Sequence, residues 1–399
     1  MASASALTTL GALPPFLLGA QAVRIRADLD IGVALFGAAV SAFFASAALW
    51  SMLGGGLVDR LGRRRGMALA GLLVAAGGGT IAGLVTGPRS LVGAMVLLGA
   101  GNAACQVTAN LSMARALPAH RRGLGFGIKQ SAIPLAIMVG GLAVPLTARV
   151  GWRVTFVSTA LLGVVVLVLP LLRRPGRVPA ATPDPGVEED RPPLRPLLLV
   201  GLGITLASAA ANSLGAFVAS WGFEVGLSPS EAGLLMAAGS GASIVVRVAS
   251  GHRADRRAGG NLPVVAWQMY AGATCLAMLA VPHAGTVVPF GLLAFAVGWA
   301  WPGLLLFAVA RIGRDRPATA SGVVQAGAFT GGAIGPAGFG VLVGSAGYSA
   351  AWLAAAALML GGGTLVLWAR RMFVADLAAR PPRVPLAPGA TRADRRGRL

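Results

Sequence analysis

Long apolar runs follow one another along almost the whole chain, and they limit the fold more than any other feature of the sequence. Hydrophobic residues make up 56% and charged residues only 12% of the 399 positions, whereas soluble proteins carry about 25% charged residues. Each run is long enough for one helix to cross a hydrocarbon layer ~30 Å thick, and lipid forces such a run to be helical because it offers the backbone no hydrogen bonds. The sequence therefore predicts an all-α membrane protein with twelve transmembrane helices, at residues 5–23, 32–54, 67–86, 91–113, 124–147, 153–172, 197–221, 230–251, 262–281, 286–310, 319–343 and 349–369.

A polar, proline-rich stretch at 173–196 separates six apolar runs from six others. Its proline and charge content is typical of a linker that buries no core. We therefore predict an N-terminal six-helix bundle at 1–172, a cytoplasmic linker at 173–196, a C-terminal six-helix bundle at 197–370 and a disordered cytoplasmic tail at 371–399.

The net charge of +20 comes from arginines in short clusters between the apolar runs. Cytoplasmic loops of membrane proteins hold the excess of basic residues. With both termini in the cytoplasm, most arginines lie inside, and those outside are Arg24, Arg26, Arg89, Arg149 and Arg153. This distribution predicts a protein of the inner (cytoplasmic) membrane with both termini cytoplasmic, whose partners are lipids and a small-molecule substrate rather than nucleic acid. We expect it to function as a monomer.

The two halves of the chain repeat a set of residues at an offset of 195 or 196 positions. Gly55, Asp59 and Arg60 recur 196 residues later as Gly251, Asp255 and Arg256, and Arg115 recurs as Arg311. The tetrapeptide GIKQ at 127–130 likewise recurs as GVVQ at 322–325. The repeat predicts two pseudo-symmetric six-helix bundles, an arrangement typical of secondary transporters with the solute site between the repeats.

The loop between the second and third runs, GGGLVDRLGRRRG at 54–66, carries a specific motif. The motif is Gly, three residues, Asp, Arg or Lys, any residue, Gly, any residue and two basic residues, here Gly55, Asp59, Arg60, Gly62, Arg64 and Arg65. On this motif and the repeat, the chain resembles the major facilitator superfamily over essentially its whole length. The resemblance implies alternating access around a cavity lined by helices 1, 2, 4, 5, 7, 8, 10 and 11.

Two other patterns of that superfamily are incomplete. Met95 stands where the fourth helix usually has an arginine, and the fifth run, SAIPLAIMVGGLAVP, departs from the glycine-proline pattern of drug antiporters. A similar segment, GGAIGP, stands instead at 331–336 in the eleventh run.

The motif loop suggests a gate. Helix N-termini carry free N–H groups and partial positive charge, so the Asp59 carboxylate can tie helices of opposite halves while the cytoplasmic side is closed. Our hypothesis is a latch of Asp59 with an arginine such as Arg115, and the alternative is a cluster that only anchors the topology. The residues assigned to gating are Gly55, Asp59, Arg60, Gly62, Arg64, Arg115, Asp255 and Arg311.

Two basic residues, Lys129 and Arg247, fall inside predicted helices, whereas every acidic residue falls in a loop or at a helix end. A charge at mid-bilayer costs at least ~2.5 kcal/mol, so both are candidates for substrate binding, unless they extend to the cytoplasmic face. Arg247 shares a helical face with Ser240 and Ser243. It resembles the eighth-helix arginine that holds the substrate carboxylate in monocarboxylate and oxalate porters, although Ser243 replaces the accompanying aspartate of the monocarboxylate porters.

Amide side chains add further substrate-binding candidates. The fourth run has three of them at intervals of four residues, and two more stand in the seventh and eleventh runs: Asn102, Gln106, Asn110, Asn212 and Gln325. The alternative for each is a hydrogen bond between neighbouring helices, which is common in lipid. Ser243 completes the substrate-binding set with Arg247 and Lys129.

Two buried cations without a buried carboxylate predict a positive cavity, and therefore a secondary transporter for a small organic or inorganic anion. The alternatives are a drug or multidrug efflux antiporter and, from another class, a membrane-embedded enzyme. The enzyme alternative has little support, because the three histidines at 120, 252 and 283 are far apart and pair with no cysteine in a metal-ligand spacing. We expect neither a cofactor nor a metal.

Overall fold

A computed structural model of the protein describes residues 2–113, 122–172, 190–257, 259–314 and 317–381, with backbone alone at 2, 52–60, 63, 110–113, 122–123, 171 and 317–319. All regular structure in these ranges is helical. The helices are α1 (Ala2–Ala20), α2 (Ala22–Leu29), α3 (Val33–Gly83), α4 (Pro88–Met113), α5 (Arg122–Gln130), α6 (Ala132–Leu146), α7 (Arg153–Leu172), α8 (Leu194–Glu224), α9 (Pro229–Arg256), α10 (Asn261–Met278), α11 (Ala284–Leu293), α12 (Trp301–Ile312) and α13 (Pro317–Ala379), with a π-helical turn at Ala294–Gly298 between α11 and α12.

These helices correspond to the twelve predicted crossings, which confirms the predicted fold class. Three crossings are interrupted, because α1 and α2, α5 and α6, and α11 and α12 each form one crossing with a break. Conversely, α3 and α13 each contain two crossings, which reverse at Gly62 (φ 72°) and Gly347 (φ 81°). A positive φ of this kind favours glycine, which lacks a Cβ.

Ten stretches of the described chain are long and apolar enough to cross a membrane. One of them, Ala320–Ala379, covers two predicted crossings, whereas α10 is not among the ten. Polar residues such as Asn261 and Gln268 lower the mean hydropathy of α10.

Two helix ends differ from the predicted boundaries. Helix α8 begins at Leu194, inside the predicted linker, and α13 continues to Ala379, nine residues beyond the predicted end of the second bundle. The extension of α13 is charged but still helical, and its Asp376 forms an ion pair with Arg380, which follows the helix end. The rest of the predicted tail, 382–399, and most of the linker, 173–189, lie outside the described residues.

Six crossings precede the linker (the first half) and six follow it (the second half). We call the end of the bundle where α1 begins the terminal face and the other end the opposite face. On the opposite face, α1 meets α8 at Gly19 and Gly215. There α3 also meets α13, where the Ala337 N–H donates to Ser41 Oγ at 2.9 Å. The halves are therefore in contact on the opposite face.

Candidate functional site

The face of α9 that carries Arg247 is turned toward the first half. Gly233, Ser240 and Arg247 are seven residues apart, which is two helical turns, and therefore share this face. A Cβ added at Gly233 would lie 2.7 Å from the carbonyl oxygen of Gly141 in α6, and one added at Gly127 in α5 would lie 2.9 Å from the carbonyl oxygen of Arg247. Arg247, only 2% exposed, thus lies within the interface between the halves.

The guanidinium of Arg247 donates hydrogen bonds to one main-chain carbonyl from each half. Its Nη1 donates to the carbonyl oxygen of Gln130 at 2.5 Å, and its Nη2 donates to that of Trp299. The Gln130 carbonyl has no intrahelical partner, because its usual donor four residues on would be Pro134, which has no N–H. Trp299 ends the π-helical turn between α11 and α12. Two interrupted helices thus meet at one buried cation, as they do around solute sites in many transporters.

Polar atoms of Arg247, of two serines on α9 and of Trp301, two residues after Trp299, have no hydrogen-bond partner among the described residues. They are Nε of Arg247, Oγ of Ser240, Oγ of Ser243 and Nε1 of Trp301, all on residues no more than 2% exposed. Leaving such a group unsatisfied costs about 1–3 kcal/mol, and the Arg Nε and Trp Nε1 can only donate. Ser240, Ser243 and Arg247 therefore form a buried, donor-rich strip on α9 that matches a ligand rich in acceptor oxygens.

Lys129, the other predicted cation, lies in the last turn of α5, one residue before Gln130. It is 8% exposed, so the structure places most of its side chain inside the protein rather than in solvent. The positions of Lys129 and Arg247 bring positive charge into α5 and α9 at a level where the two helices touch. In the described ranges, no carboxylate forms an ion pair with Arg247.

Two of the amide candidates, Asn102 and Asn212, have described contacts, and these contacts do not involve the strip. A Cβ at Gly11 of α1 would lie 3.1 Å from Oδ1 of Asn102, which places Asn102 between α1 and α4 of the first half. Asn212 donates from Nδ2 to the Ser208 carbonyl oxygen of its own helix at 2.8 Å. Gln106 and Gln325 are half-buried, and the side chain of Asn110 lies outside the described residues.

Among the residues assigned to gating, Asp255 of the second repeat has a described hydrogen bond to the other half. Asp255 Oδ2 accepts from the Leu124 N–H at 2.8 Å, and Leu124 is the third residue of α5. Arg311 interacts electrostatically with Asp255, and its guanidinium lies 5.4 Å from the Phe307 ring centroid. A carboxylate of one half thus binds a helix N-terminus of the other half at the terminal face.

The first repeat is described only in part. Its Asp59, Gly55 and Arg60 lie on the helical backbone of α3, with their side chains outside the described residues, and Arg115 also lies outside. Gly62 forms the reversal of α3, and Arg64 is exposed two residues later. The predicted latch of Asp59 and Arg115 therefore stays a prediction.

Two features of the interface were absent from the sequence-based prediction. Trp299 stacks on Phe295 at 6.1 Å and meets Phe16 of α1 edge-on at 5.7 Å, so its ring spans the halves. The GGAIGP segment ends at Pro336, which approaches α3 so closely that a Cβ at Gly37 would collide with the Pro336 carbonyl oxygen. The unusual position of GGAIGP in the eleventh run was the sequence signal for the second feature.

Comparisons with known proteins agree with this architecture. A family model described as Major Facilitator Superfamily matches residues 1–324. An uncharacterized MFS-type transporter of Mycobacterium tuberculosis (strain ATCC 25618 / H37Rv) is 32% identical over 146 residues, which are 36% of this chain and 25% of that protein. The chain thus spans about a quarter of the length of the curated relative it matches.

Two solved structures are similar over nearly the whole chain. A bacterial homolog to the human lysosomal transporter Spinster, in an inward-facing and occupied conformation, has a TM-score of 0.69 at 17% identity and covers 94% of this chain and 97% of that one. A D-xylose-proton symporter has a TM-score of 0.69 at 15% identity, with 91% and 96% covered. At these identities the likeness shows the fold alone.

Proposed function

The chain belongs to the major facilitator superfamily and is a multi-pass membrane transporter, and from this premise we propose that it moves a small anion across the cytoplasmic membrane by secondary, alternating-access transport. The anion is an organic carboxylate or an inorganic oxoanion such as nitrate. The terminal face lies in the cytoplasm, as the arginine distribution indicates.

The observation that carries this proposal is the donor strip of Ser240, Ser243 and Arg247. Its guanidinium is buried between the halves and keeps an unpartnered Nε. Hydrogen bonds from a cation to a carboxylate are roughly twice as strong as neutral ones, and the planar guanidinium suits two-oxygen ligands. A cationic or purely apolar solute would leave these donors unsatisfied.

Alternating access requires that each face can close. The contacts of Ser41 with Ala337 close the opposite face between α3 and α13, and the Asp255 contact with Leu124 holds α9 to α5 at the terminal face. Arg247 lies eight residues before Asp255 on α9, so a solute bound to Arg247 is separated from the terminal face by the Asp255 contact. Rocking of the halves would break one set while the other is kept.

The test is transport by the purified protein in liposomes, with radiolabelled acetate, lactate, oxalate and nitrate as probes. We expect uptake or counterflow of at least one probe, and we expect Arg247→Gln to abolish it. Arg149→Gln, which changes an exposed arginine, is the matched control and should retain wild-type uptake. Transport by Arg247→Gln at the wild-type rate, or transport of hydrophobic cationic drugs with no anion flux, would overturn the proposal, and the second result would favour drug efflux.

A further inference from the structure

We propose that the carbonyl of Gln130, made available by Pro134, competes with the transported anion for the guanidinium of Arg247, so that anion binding weakens a bond between the halves. This inference rests on the proposed function, because it assumes that an anion binds Arg247. It assigns Pro134 as a positioning residue, although Pro134 touches no solute itself.

The first step of the argument is the origin of the bond. In an uninterrupted helix, the N–H of residue 134 would donate to the carbonyl of residue 130. Pro134 lacks this N–H, so the ladder of helical hydrogen bonds is interrupted at the boundary between α5 and α6, although Ser131 keeps a right-handed helical backbone. The Gln130 carbonyl therefore takes its hydrogen bond from Arg247 Nη1 on the other half.

The second step is the charge on the donor. A hydrogen bond from a cation to a carbonyl is stronger than one between neutral groups. An anion on the Nε edge of Arg247, beside Ser240 and Ser243, compensates the positive charge and reduces this extra strength. An anion that bridges Nη1 and Nη2 displaces the carbonyl oxygens of Gln130 and Trp299 directly. Both binding modes weaken the contact between α5 and α9.

The third step is reciprocity. If a bound anion weakens the bond to Gln130, loss of that bond must strengthen anion binding by the same factor. Substitution of Pro134 by alanine supplies an N–H within reach of the Gln130 carbonyl and draws this carbonyl back into the helix. Arg247 then holds the anion more tightly and releases it more slowly.

The experiment measures binding and turnover separately. Binding of the sodium salts of acetate, lactate, oxalate and nitrate to the purified protein is followed by the shift of its melting temperature, and turnover is measured in liposomes with the same probes. For Pro134→Ala we expect a Kd about fivefold lower, at the low end of usual coupling factors, together with slower turnover. Pro170→Ala, which changes a proline inside α7, should leave both values unchanged.

If Pro134 only bends the helix, Pro134→Ala would slow turnover without raising the affinity for the anion. An unchanged or higher Kd therefore overturns the inference. If Arg247→Gln weakens anion binding but Pro134→Ala leaves the Kd unchanged, the inference is overturned while the proposed function stands. Absence of binding by every probe to the wild-type protein overturns both.

A second measurement keeps Pro134 and therefore tests the inference even if Pro134→Ala misfolds. Spin labels at positions Ile128 and Arg253, with Cys105 and Cys275 replaced by alanine, report the distance between α5 and α9. Added nitrate or acetate should lengthen this distance. An unchanged distance at saturating probe overturns the inference.

Discussion

Asp255 at the end of α9 accepts a hydrogen bond at 2.8 Å from the backbone N–H of Leu124 in the first turn of α5. The carboxylate belongs to the second half and the helix N-terminus to the first half. The bond therefore exists only while the halves are together at the terminal face, and it should contribute to the free energy of that closed state.

Asp255→Ala should shift the protein toward opening at the terminal face. A carboxylate that caps a helix N-terminus contributes about 0.5–2 kcal/mol, which corresponds to a several-fold change in the ratio of states. The measurement is the rate at which a cysteine at position Leu124 reacts with a membrane-impermeant maleimide, compared between backgrounds. Glu231→Ala removes a cap at the other end of α9 and should not change this rate, and equal rates with and without Asp255 would contradict the latch.

Asp59→Asn should have the same direction of effect, because Asp59 is the repeat partner of Asp255. By the offset of the repeat, its carboxylate is expected at the start of α13, where α13 corresponds to α5. We expect slower transport and more terminal-face opening, and a larger effect when Asp59→Asn and Asp255→Asn are combined. Wild-type transport rates and an unchanged balance of states for Asp59→Asn would rule out its part in the latch.

Gly37→Ala should prevent closure of the opposite face. A Cβ at Gly37 would collide with the carbonyl oxygen of Pro336 on α13, and backbone atoms at this contact cannot move aside without separating the helices. We expect uptake to fall at least tenfold, with normal insertion into the membrane. Gly79→Ala in the same helix α3 meets no atom within 4 Å, and it should transport normally; retained uptake in both variants would refute the collision.

Asp376→Asn should lower the stability of the second half. Burial alone would lower the pKa of the Arg314 guanidinium, but its ion pairs with Asp190 and Asp376 outweigh this effect and raise the pKa above its usual value. The Arg314 side chain is 3% exposed and its Nη2 lies 2.6 Å from Asp376 Oδ2, so loss of the charge should cost about 1–3 kcal/mol. The melting temperature in detergent should fall, whereas Arg371→Ala, at an exposed position, should leave it within a degree or two.

The length of the apolar runs was enough to predict twelve crossings, because each crossing must satisfy its own backbone in lipid. The same reasoning selected Arg247, since a cation is rare in a transmembrane helix. The partners of Arg247 could not be predicted this way. They are main-chain carbonyls of Gln130 and Trp299, and only the approach of α5 and of the π-helical turn to α9 decides that these groups face the guanidinium.

The amide residues show the limit of a one-dimensional pattern. Asn102 and Asn212 each lie at a spacing that predicts a polar stripe, and the spacing left open that Asn212 donates to its own helix and that Asn102 lies beside α1. A helical wheel gives the angle of a side chain around its own axis and leaves open which neighbour occupies that direction. Pro134 and the GGAIGP segment predict more about the interface. A proline leaves a carbonyl free to accept from a neighbouring helix, and a glycine lets a neighbouring backbone approach closely, whichever helix that neighbour is.

The reversals at Gly62 and Gly347 join consecutive crossings through a single residue in the left-handed region. A connection this short keeps the ends of the two arms of α3, and likewise those of α13, side by side, so neither arm can slide along the other at that end. A peptide inserted at either reversal should remove this constraint and lower the transport rate, although both arms still insert into the membrane.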